Sequence, residues 1–350
     1  MVKKDNFFFI IIIIQLYSLL VIQLFSNEEI KLPLQNGIIQ VKNKIIIEEI
    51  YDINISEGHF KIAAEFLQTW NNNYLKSDKL KVYTGQAFDD FLHTIWSPKF
   101  IITNEEESRN TSVQMLVVDK KGELKLYEKF SATVAMNTDI KEYPFGELDL
   151  KLVLSAYTHT TDEMVFIPES LQFGHDNNDP NSVIKGNWTI VNNFIKETTK
   201  KSLLFNDKDL SHNEFHFVIK HDFMDALQKI FIPLIIIIII SLFINYYCRM
   251  KYKENYEFNI NGQLVLLLTI VALRFSLGKE LPKTHYLNFT DLIFLTAFIV
   301  CSTCLLESLI LLRVYQHGNI KHAEKVESYF SYSTIFLFFF LLMFSIFISF

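Results

Sequence analysis

Seven residues of one stretch recur at a spacing that could line a path for water and ions. Glu257, Asn261, Val265, Leu268, Ala272, Phe275 and Lys279 follow one another at steps of 4, 4, 3, 4, 3 and 4. On a helix of about 3.6 residues per turn, that spacing puts them on one face. The face begins with a carboxylate and an amide, is apolar through its middle and ends on a lysine. Lipid would not suit it, because burying an ionisable group in hydrocarbon is expensive. Water would. Five copies around an axis would set a carboxylate ring at one mouth and rings of Leu268 and Phe275 at the waist. Charged rings select ions, and apolar constrictions gate by dewetting. The alternative is an ordinary bundle helix whose Glu257 sits at the membrane boundary.

Such a helix needs neighbours and a membrane. The chain has 350 residues, a formal charge of −6 and 50% hydrophobic residues, unevenly spread. Beside the helix that carries the stripe, three further apolar segments fall at Ile230–Tyr247, Leu292–Leu312 and Tyr332–Phe350. Each is near the roughly 20 residues needed to span a bilayer. Basic residues cluster at Arg249–Lys253 and Arg313–Lys325, which predicts that both loops are cytoplasmic. Arg274 lies inside the second helix and needs a partner. Asp291 is at a suitable depth, whereas Glu307 belongs nearer the cytoplasm, among polar groups around Asn261.

At the other end, Met1-Val2-Lys3-Lys4 precedes an apolar run from Phe7 to Phe25. That is a secretory signal, or an uncleaved anchor, since Leu24-Phe25-Ser26 is a poor cleavage site. Either way residues 27–228 are exported. They read as short strands: Lys44–Ile55, His59–Trp70, Val113–Val118, Glu123–Val134, Leu148–Ser155, Met164–Ile167, Asn187–Lys196 and Glu214–Lys220. Asp119-Lys120-Lys121-Gly122 is a hairpin turn. Asp78–Phe91 reads as a strand and then a loop. The pattern predicts an immunoglobulin-like β-sandwich ahead of a four-helix transmembrane domain at residues 229–350. The three cysteines, Cys248, Cys301 and Cys304, all fall in membrane segments, so the exported domain has no disulfide of its own. Trp70, Trp96 and Trp188 read as core aromatics.

Several motifs carry a family resemblance. Tyr256-Glu257, the pore-helix pattern and Leu281-Pro282-Lys283-Thr284 stand at the spacing found in bacterial pentameric ligand-gated ion channels. Trp96-Ser97-Pro98 resembles that family's Trp-x-Pro loop. Tyr143-Pro144-Phe145 resembles the aromatic-Pro-Phe signature of the loop that meets the membrane. Gly122–Phe130 followed by Ser131-Ala132 tracks the bacterial strand there. The lack of a disulfide and the short third-to-fourth linker also look bacterial. The resemblance implies a homopentamer in the cell membrane with its N-terminal domain outside, and monovalent cations as permeant ions. It implies gating contacts through Tyr143, Pro144, Phe145, His221, Pro282 and Lys283.

The same resemblance marks departures. The aromatic-box positions that hold cationic agonists in the neurotransmitter receptors are Glu65, Thr103 and Asp162 here, so the box is missing. The carboxylates could hold an amine or a divalent cation, or could be solvated surface groups. The acid–base cluster of acid-gated bacterial members falls on Gly146, Ile55 and His221, so it is not inherited intact. Asp52, Glu57, Glu147 and Asp149 are nearby substitutes. His221 titrates in the physiological range, disfavoured as a cation by Lys220 and favoured by Asp222. The agonist is thus a small molecule or the proton.

Other classes find little support. There is no nucleophile elbow, phosphate loop or metal-spaced His/Cys cluster, so an enzyme is not expected, nor a cofactor, metal or nucleic-acid partner. A non-conducting receptor on the same scaffold stays open, since fold does not fix function.

Overall fold

The computed structural model describes residues 33, 37–76, 78–136, 139–175, 179–247, 253–278, 286–316 and 320–349. The expected leader (1–26), Cys248, Lys279 and the loop residues Pro282 and Lys283 lie outside them.

Strand pairing follows the alternation of buried residues. In β2 (His59–Asn71) every second residue from Phe60 to Trp70 is buried, as the pleat requires of a strand with one face on a core. β2 pairs antiparallel with β1 (Ile39–Asn54) and with β6 (Glu123–Ala135). β5 (Asn110–Val118) pairs with β6 and with the short β3 (Lys81–Thr84). β8 (Met164–Phe173) lies parallel to β1 at the other edge. This gives one six-stranded sheet ordered β3-β5-β6-β2-β1-β8. A second sheet holds four strands: β4 (Phe100–Ile102), β7 (Glu147–Ala156), β10 (Asp209–His221) and β9 (Trp188–Lys201), in that order. Between the sheets Phe66 meets Phe100 edge-on at 4.8 Å, and Phe173 meets Phe217 at 6.1 Å. The chain thus forms the β-sandwich that the sequence predicts.

Most strands run further than their apolar cores suggest. β8 continues past Pro168 because it is an edge strand and because its register with β1 shifts there. β9 runs through Thr198-Thr199-Lys200-Lys201, whose polarity fits its place at a sheet edge. The hairpin after β5 forms as expected. Gly122 turns it with φ 86°, and a Cβ there would stand 2.6 Å from the Asn72 carbonyl oxygen.

One expectation needs correction. After β3 the chain forms a helix, α1 (Gln86–Leu92), rather than a loop. Phe88, Phe91 and Leu92 recur at helical spacing. Phe88 is buried, and Phe91 stacks on Tyr83 at 4.0 Å. Two adjacent aspartates obscured that short apolar face.

The last strand passes straight into the helices. Asp222 accepts the Met224 N–H at 2.9 Å and so caps α2 (Phe223–Ala226). A wider turn, Leu227–Phe231, links it to α3 (Ile232–Tyr247). Pro233 supplies the reason, since its ring lacks an N–H and crowds the preceding turn. α4 (Lys253–Ser276), α5 (Phe289–Gln316) and α6 (Ile320–Ser349) complete the bundle, with α5 packed on α3, α4 and α6. Three helical stretches are long and apolar enough to cross a membrane: Phe223–Asn245, Glu257–Ser276 and Phe289–Val314. The apolar part of α6 is Tyr332–Ile348.

Candidate pore and gating junction

α4 has two faces of opposite character. Asn259, Gln263, Ile270 and Leu277 are buried against the other helices. Glu257, Asn261, Val265, Leu268, Ala272 and Phe275 are all exposed in the single protomer. Val265 is 61%, Leu268 70% and Phe275 79% exposed. From Glu257 to Phe275 the stripe read from the sequence is therefore one open face, and its apolar side chains are exposed among the described residues.

The buried face holds a polar network that the sequence reading missed. Ser241 Oγ donates to Gln263 Oε1 at 2.7 Å, and Gln263 Nε2 donates to the Ser241 carbonyl at 2.9 Å. Asn259 Nδ2 donates to Ser308 Oγ at 2.7 Å and to Asn245 Oδ1 at 3.2 Å. Asn245 Nδ2 in turn donates to Glu307 Oε2 at 2.7 Å, and Thr334 donates to the other Glu307 oxygen. Glu307 does meet polar groups at this end, but they are Asn245 and Thr334; Asn261 faces the other way. The network ties α3, α4, α5 and α6 through the buried face of α4. Higher up, Arg274 donates to Asp291 at 2.7 Å, the partner expected for it. Asn288 caps α5 by accepting the Asp291 N–H at 2.9 Å, so Asp291 is anchored from two sides.

The sandwich grips the helices through the loop before β7. The Phe289 N–H donates to the Lys141 carbonyl at 2.9 Å. Thr290 Oγ1 donates to the Tyr143 carbonyl at 3.0 Å. Phe145, two residues on from Tyr143 across the cis Tyr143–Pro144 bond, packs within 5.3–5.8 Å of Phe223, Phe231 and Phe289. Through the Tyr143 carbonyl and the Phe145 ring, this loop thus touches both the Phe223–Asn245 stretch and α5. Pro282 and Lys283, the remaining residues expected here, fall outside the described residues.

His221 closes the junction. A cavity of about 300 Å³ lies between the β1–β2 turn and the β10–α2 bend. Asp52, Asn54, Tyr143, Trp188, His221 and Asp225 help to line it. The His221 ring meets Trp188 edge-on at 4.7 Å and Tyr143 at 5.8 Å. Trp188 is therefore a half-buried wall of this cavity rather than a central core residue. His221 Nδ1 lies 3.0 Å from the Asp222 carbonyl oxygen, so it carries the hydrogen. Nε2 faces Asp225 at 3.6 Å, and Lys229 holds the same carboxylate at 3.1 Å. Burial holds the His221 pKa below its usual value, partly offset by the Asp222 carbonyl and the Asp225 charge; Lys229 adds to the lowering. The sequence names Lys220 and Asp222 as its electrostatic neighbours. The structure replaces Lys220 with Lys229, because strand alternation turns Lys220 away and the helical bend brings residues 225 and 229 under the ring.

Residues 18–222 match the family model of the neurotransmitter-gated ion-channel ligand-binding domain. This chain belongs to the pentameric ligand-gated ion channels. These channels are not enzymes; they sit in a membrane with the ligand-binding domain outside. Over 302 residues the chain is 22% identical to a proton-gated ion channel of Gloeobacter violaceus, covering 85% of this chain and 76% of that one. It is 24% identical to the serotonin-gated chloride channel mod-1 of Caenorhabditis elegans over 148 residues, 40% of this chain and 30% of that one. It is 19% identical to a glutamate-gated chloride channel of Drosophila melanogaster, over 72% of this chain and 54% of that one. The chain thus spans about a third to a half of the animal channels' length and three quarters of the bacterial one.

The two carboxylates that the sequence offered for a ligand, Glu65 and Asp162, both have partners within the protein. Glu65 lies on β2 beside Glu48, His175 and Lys129. Its His175 contact is 3.1 Å, and the Lys129 ammonium is 3.9 Å away while bonding Glu48. Burial tends to raise the Glu48 pKa, but the Lys129 hydrogen bond and its neighbours bring it below the usual value. Burial and the Glu65 carboxylate push the Tyr127 phenol to about 12. Glu48, Glu65 and His175 bring ligand atoms within 4.8 Å of one another, yet Lys129 already stands at both carboxylates. Thr103 is exposed beyond β4 on the other sheet. Asp162, on the β7–β8 turn, pairs with Lys208 at 3.2 Å. Sequence reasoning found Glu65 but not its partners Lys129 and His175, which come from positions far along the chain.

Proposed function

We propose that this protein is a cation-selective homopentameric channel in which α4 lines the pore. Residues 1–26 serve as export signal or anchor, 27–228 as the ligand-binding domain and 229–350 as the pore domain. Glu257 forms the carboxylate ring at the cytoplasmic mouth, where it concentrates monovalent cations. Asn261 follows it, and Val265, Leu268, Ala272 and Phe275 narrow the path. The observation that carries this reading is the open α4 face, which starts on a carboxylate and exposes large apolar rings. The animal relatives include chloride channels, so selectivity is the point to test. In a salt gradient across a bilayer, Glu257→Ala should move the reversal potential toward the anion value. A reversal potential identical to wild type removes Glu257 from the selectivity role.

The trigger in this reading is the proton, acting at His221. The resting ring gives its Nδ1 hydrogen to the Asp222 carbonyl and turns a lone pair toward Asp225. A proton on Nε2 converts that facing pair into an attraction and competes with Lys229 for the carboxylate. Asp225 lies on α2, which feeds the first membrane helix, so the pull reaches the bundle. An amine at Glu65 or Asp162 would first have to displace Lys129 or Lys208. The name of the bacterial relative, a proton-gated channel, points the same way. Stepping pH with no added ligand separates the two: current evoked by acid alone supports His221, and current that needs an amine supports the carboxylate sites.

A further inference from the structure

A second histidine has both ring nitrogens engaged by carboxylates. His216 Nδ1 lies 2.9 Å from Asp149 Oδ2, and Nε2 lies 3.0 Å from Glu214 Oε2. The ring stacks on Phe194 at 4.3 Å with 12° between planes, and the side chain is 7% exposed. Its neighbours Phe215 and Phe217 point into the core, so His216 is on the outer face of the smaller sheet yet covered.

A neutral imidazole carries one N–H. It can donate to one carboxylate and must then aim a lone pair at the other. Only the imidazolium satisfies both. Every strand packed against the ring contributes to its charge setting. β7 presents Asp149 and Lys151, the latter in register with His216. β10 presents Glu214 and, one turn of alternation further, His212. β9 presents Phe194 opposite the ring and Lys196 opposite Glu214. His212 does not compete for the proton, because burial first of all holds its pKa below the usual value.

The two carboxylates stand on different strands. Asp149 is on β7, which begins just after Tyr143-Pro144-Phe145, and Glu214 is on β10, which ends at His221. We propose that His216 is a proton-binding site in which the bound proton staples β7 to β10 and so couples the two strands whose ends form the gating junction. In acid the ring donates across to Asp149 on β7 and along its own strand to Glu214 at once. On losing the proton it keeps one arm and sets its other nitrogen against a carboxylate. The site is separate from His221. Its effect on current rests on the channel reading; its effect on stability does not.

The test uses the full-length protein in detergent and in bilayers, with the proton itself as the probe. Thermal midpoints are measured from about pH 8 to about pH 5 for wild type, His216→Gln, Asp149→Asn and His221→Gln. Glutamine cannot take up the proton, so His216→Gln should match wild type at the alkaline end and fall progressively below it toward acid. Asp149→Asn, at an accessible position, removes one arm and should lose the same acid-dependent gain; it serves if His216→Gln does not fold. His221→Gln should keep that gain. Parallel wild-type and His216→Gln midpoint curves across the whole range overturn the proposal, as does an Asp149→Asn curve that retains the full gain. In bilayers, His216→Gln should shift the pH dependence of opening; absence of current in all proteins would count against the channel reading and leave the midpoints to decide this one.

Discussion

Thr290 Oγ1 donates to the carbonyl of Tyr143 at 3.0 Å, across 147 positions of sequence, and joins the base of the sandwich to the first turn of α5. The neighbouring Phe289 N–H makes a second bond to the same loop, at the Lys141 carbonyl. Two bonds on adjacent residues fix direction as well as distance, so a displacement of the loop must move the helix. Thr290→Val keeps the shape and removes one bond, at a cost of about 1 kcal/mol. It should reduce maximal open probability by about fivefold while surface assembly and the melting midpoint stay near wild type. Unchanged gating in an assembled variant would restrict this contact to holding the two parts together.

Leu268 should set the closed gate. Its side chain is 70% exposed on the open α4 face, where only copies of itself could enclose it in a ring. An apolar ring excludes water without touching across the pore. Leu268→Ser lets water in and should raise resting current at least about tenfold, a shift of about 1.4 kcal/mol in the gating equilibrium. Resting behaviour like that of wild type in the serine variant would move the gate to another ring, with Phe275 the next to change.

The Arg274–Asp291 pair should stabilise the bundle rather than conduct. Arg274 keeps 38% of its side chain exposed and Asp291 17%, so the pair is less enclosed than a fully buried one. Removing one partner of a buried pair costs about 3–5 kcal/mol, and here about 1–3 kcal/mol is expected. Asp291→Asn also weakens the cap on α5. Arg274→Gln with Asp291→Asn together should cost less than the sum of the single changes in thermal denaturation of the purified channel. Strict additivity would mean the two charges do not act as a pair.

What the sequence made legible follows a physical division. The stripe on α4 was readable because exposure and period coincide: Glu257, Asn261 and Leu268 are all exposed. The opposite face was not, because Asn259 and Gln263 are polar like the head of the stripe and sit between its members, Asn259 between Glu257 and Asn261 and Gln263 between Asn261 and Val265. A polar residue in a membrane helix can face water or a buried hydrogen-bond network, and spacing alone does not tell which. Strand cores such as Phe60 to Trp70 were readable from strict alternation, whereas β9 was cut short because an edge strand needs no apolar pattern at its far end. Of the two charged neighbours read for His221, Asp222 holds and Lys220 does not, for a local reason. The neighbours of a histidine at the end of a strand change when the chain bends into a helix at the next residue, and the Asp222 cap that makes the bend leaves Asp225 and Lys229 within reach. The partners of Glu65 were hidden for the opposite reason, since Lys129 and His175 approach it from distant positions.

Acid should open the channel through His221, and the direction follows from its surroundings. Burial lowers the pKa of the ring relative to the unfolded chain, so the resting fold prefers it neutral. Above about pH 6.5 the ring is neutral in both states and contributes no difference. As pH falls from there, the unfolded chain or any conformation that hydrates the ring takes up the proton first. The closed junction therefore loses stability progressively until pH passes the lowered value, below which the loss is complete. A charged ring also draws Asp225 away from Lys229, which biases α2. Wild-type current should stay near its resting level from about pH 8 to about 6.5 and rise as pH is stepped below about 6.5. His221→Gln has no proton to gain and should respond weakly, with its melting midpoint at alkaline pH close to wild type. Strong acid activation that survives His221→Gln would take the trigger away from this residue, and a variant that opens at alkaline pH would show instead that the ring's contacts with Trp188 and Tyr143 hold the channel closed.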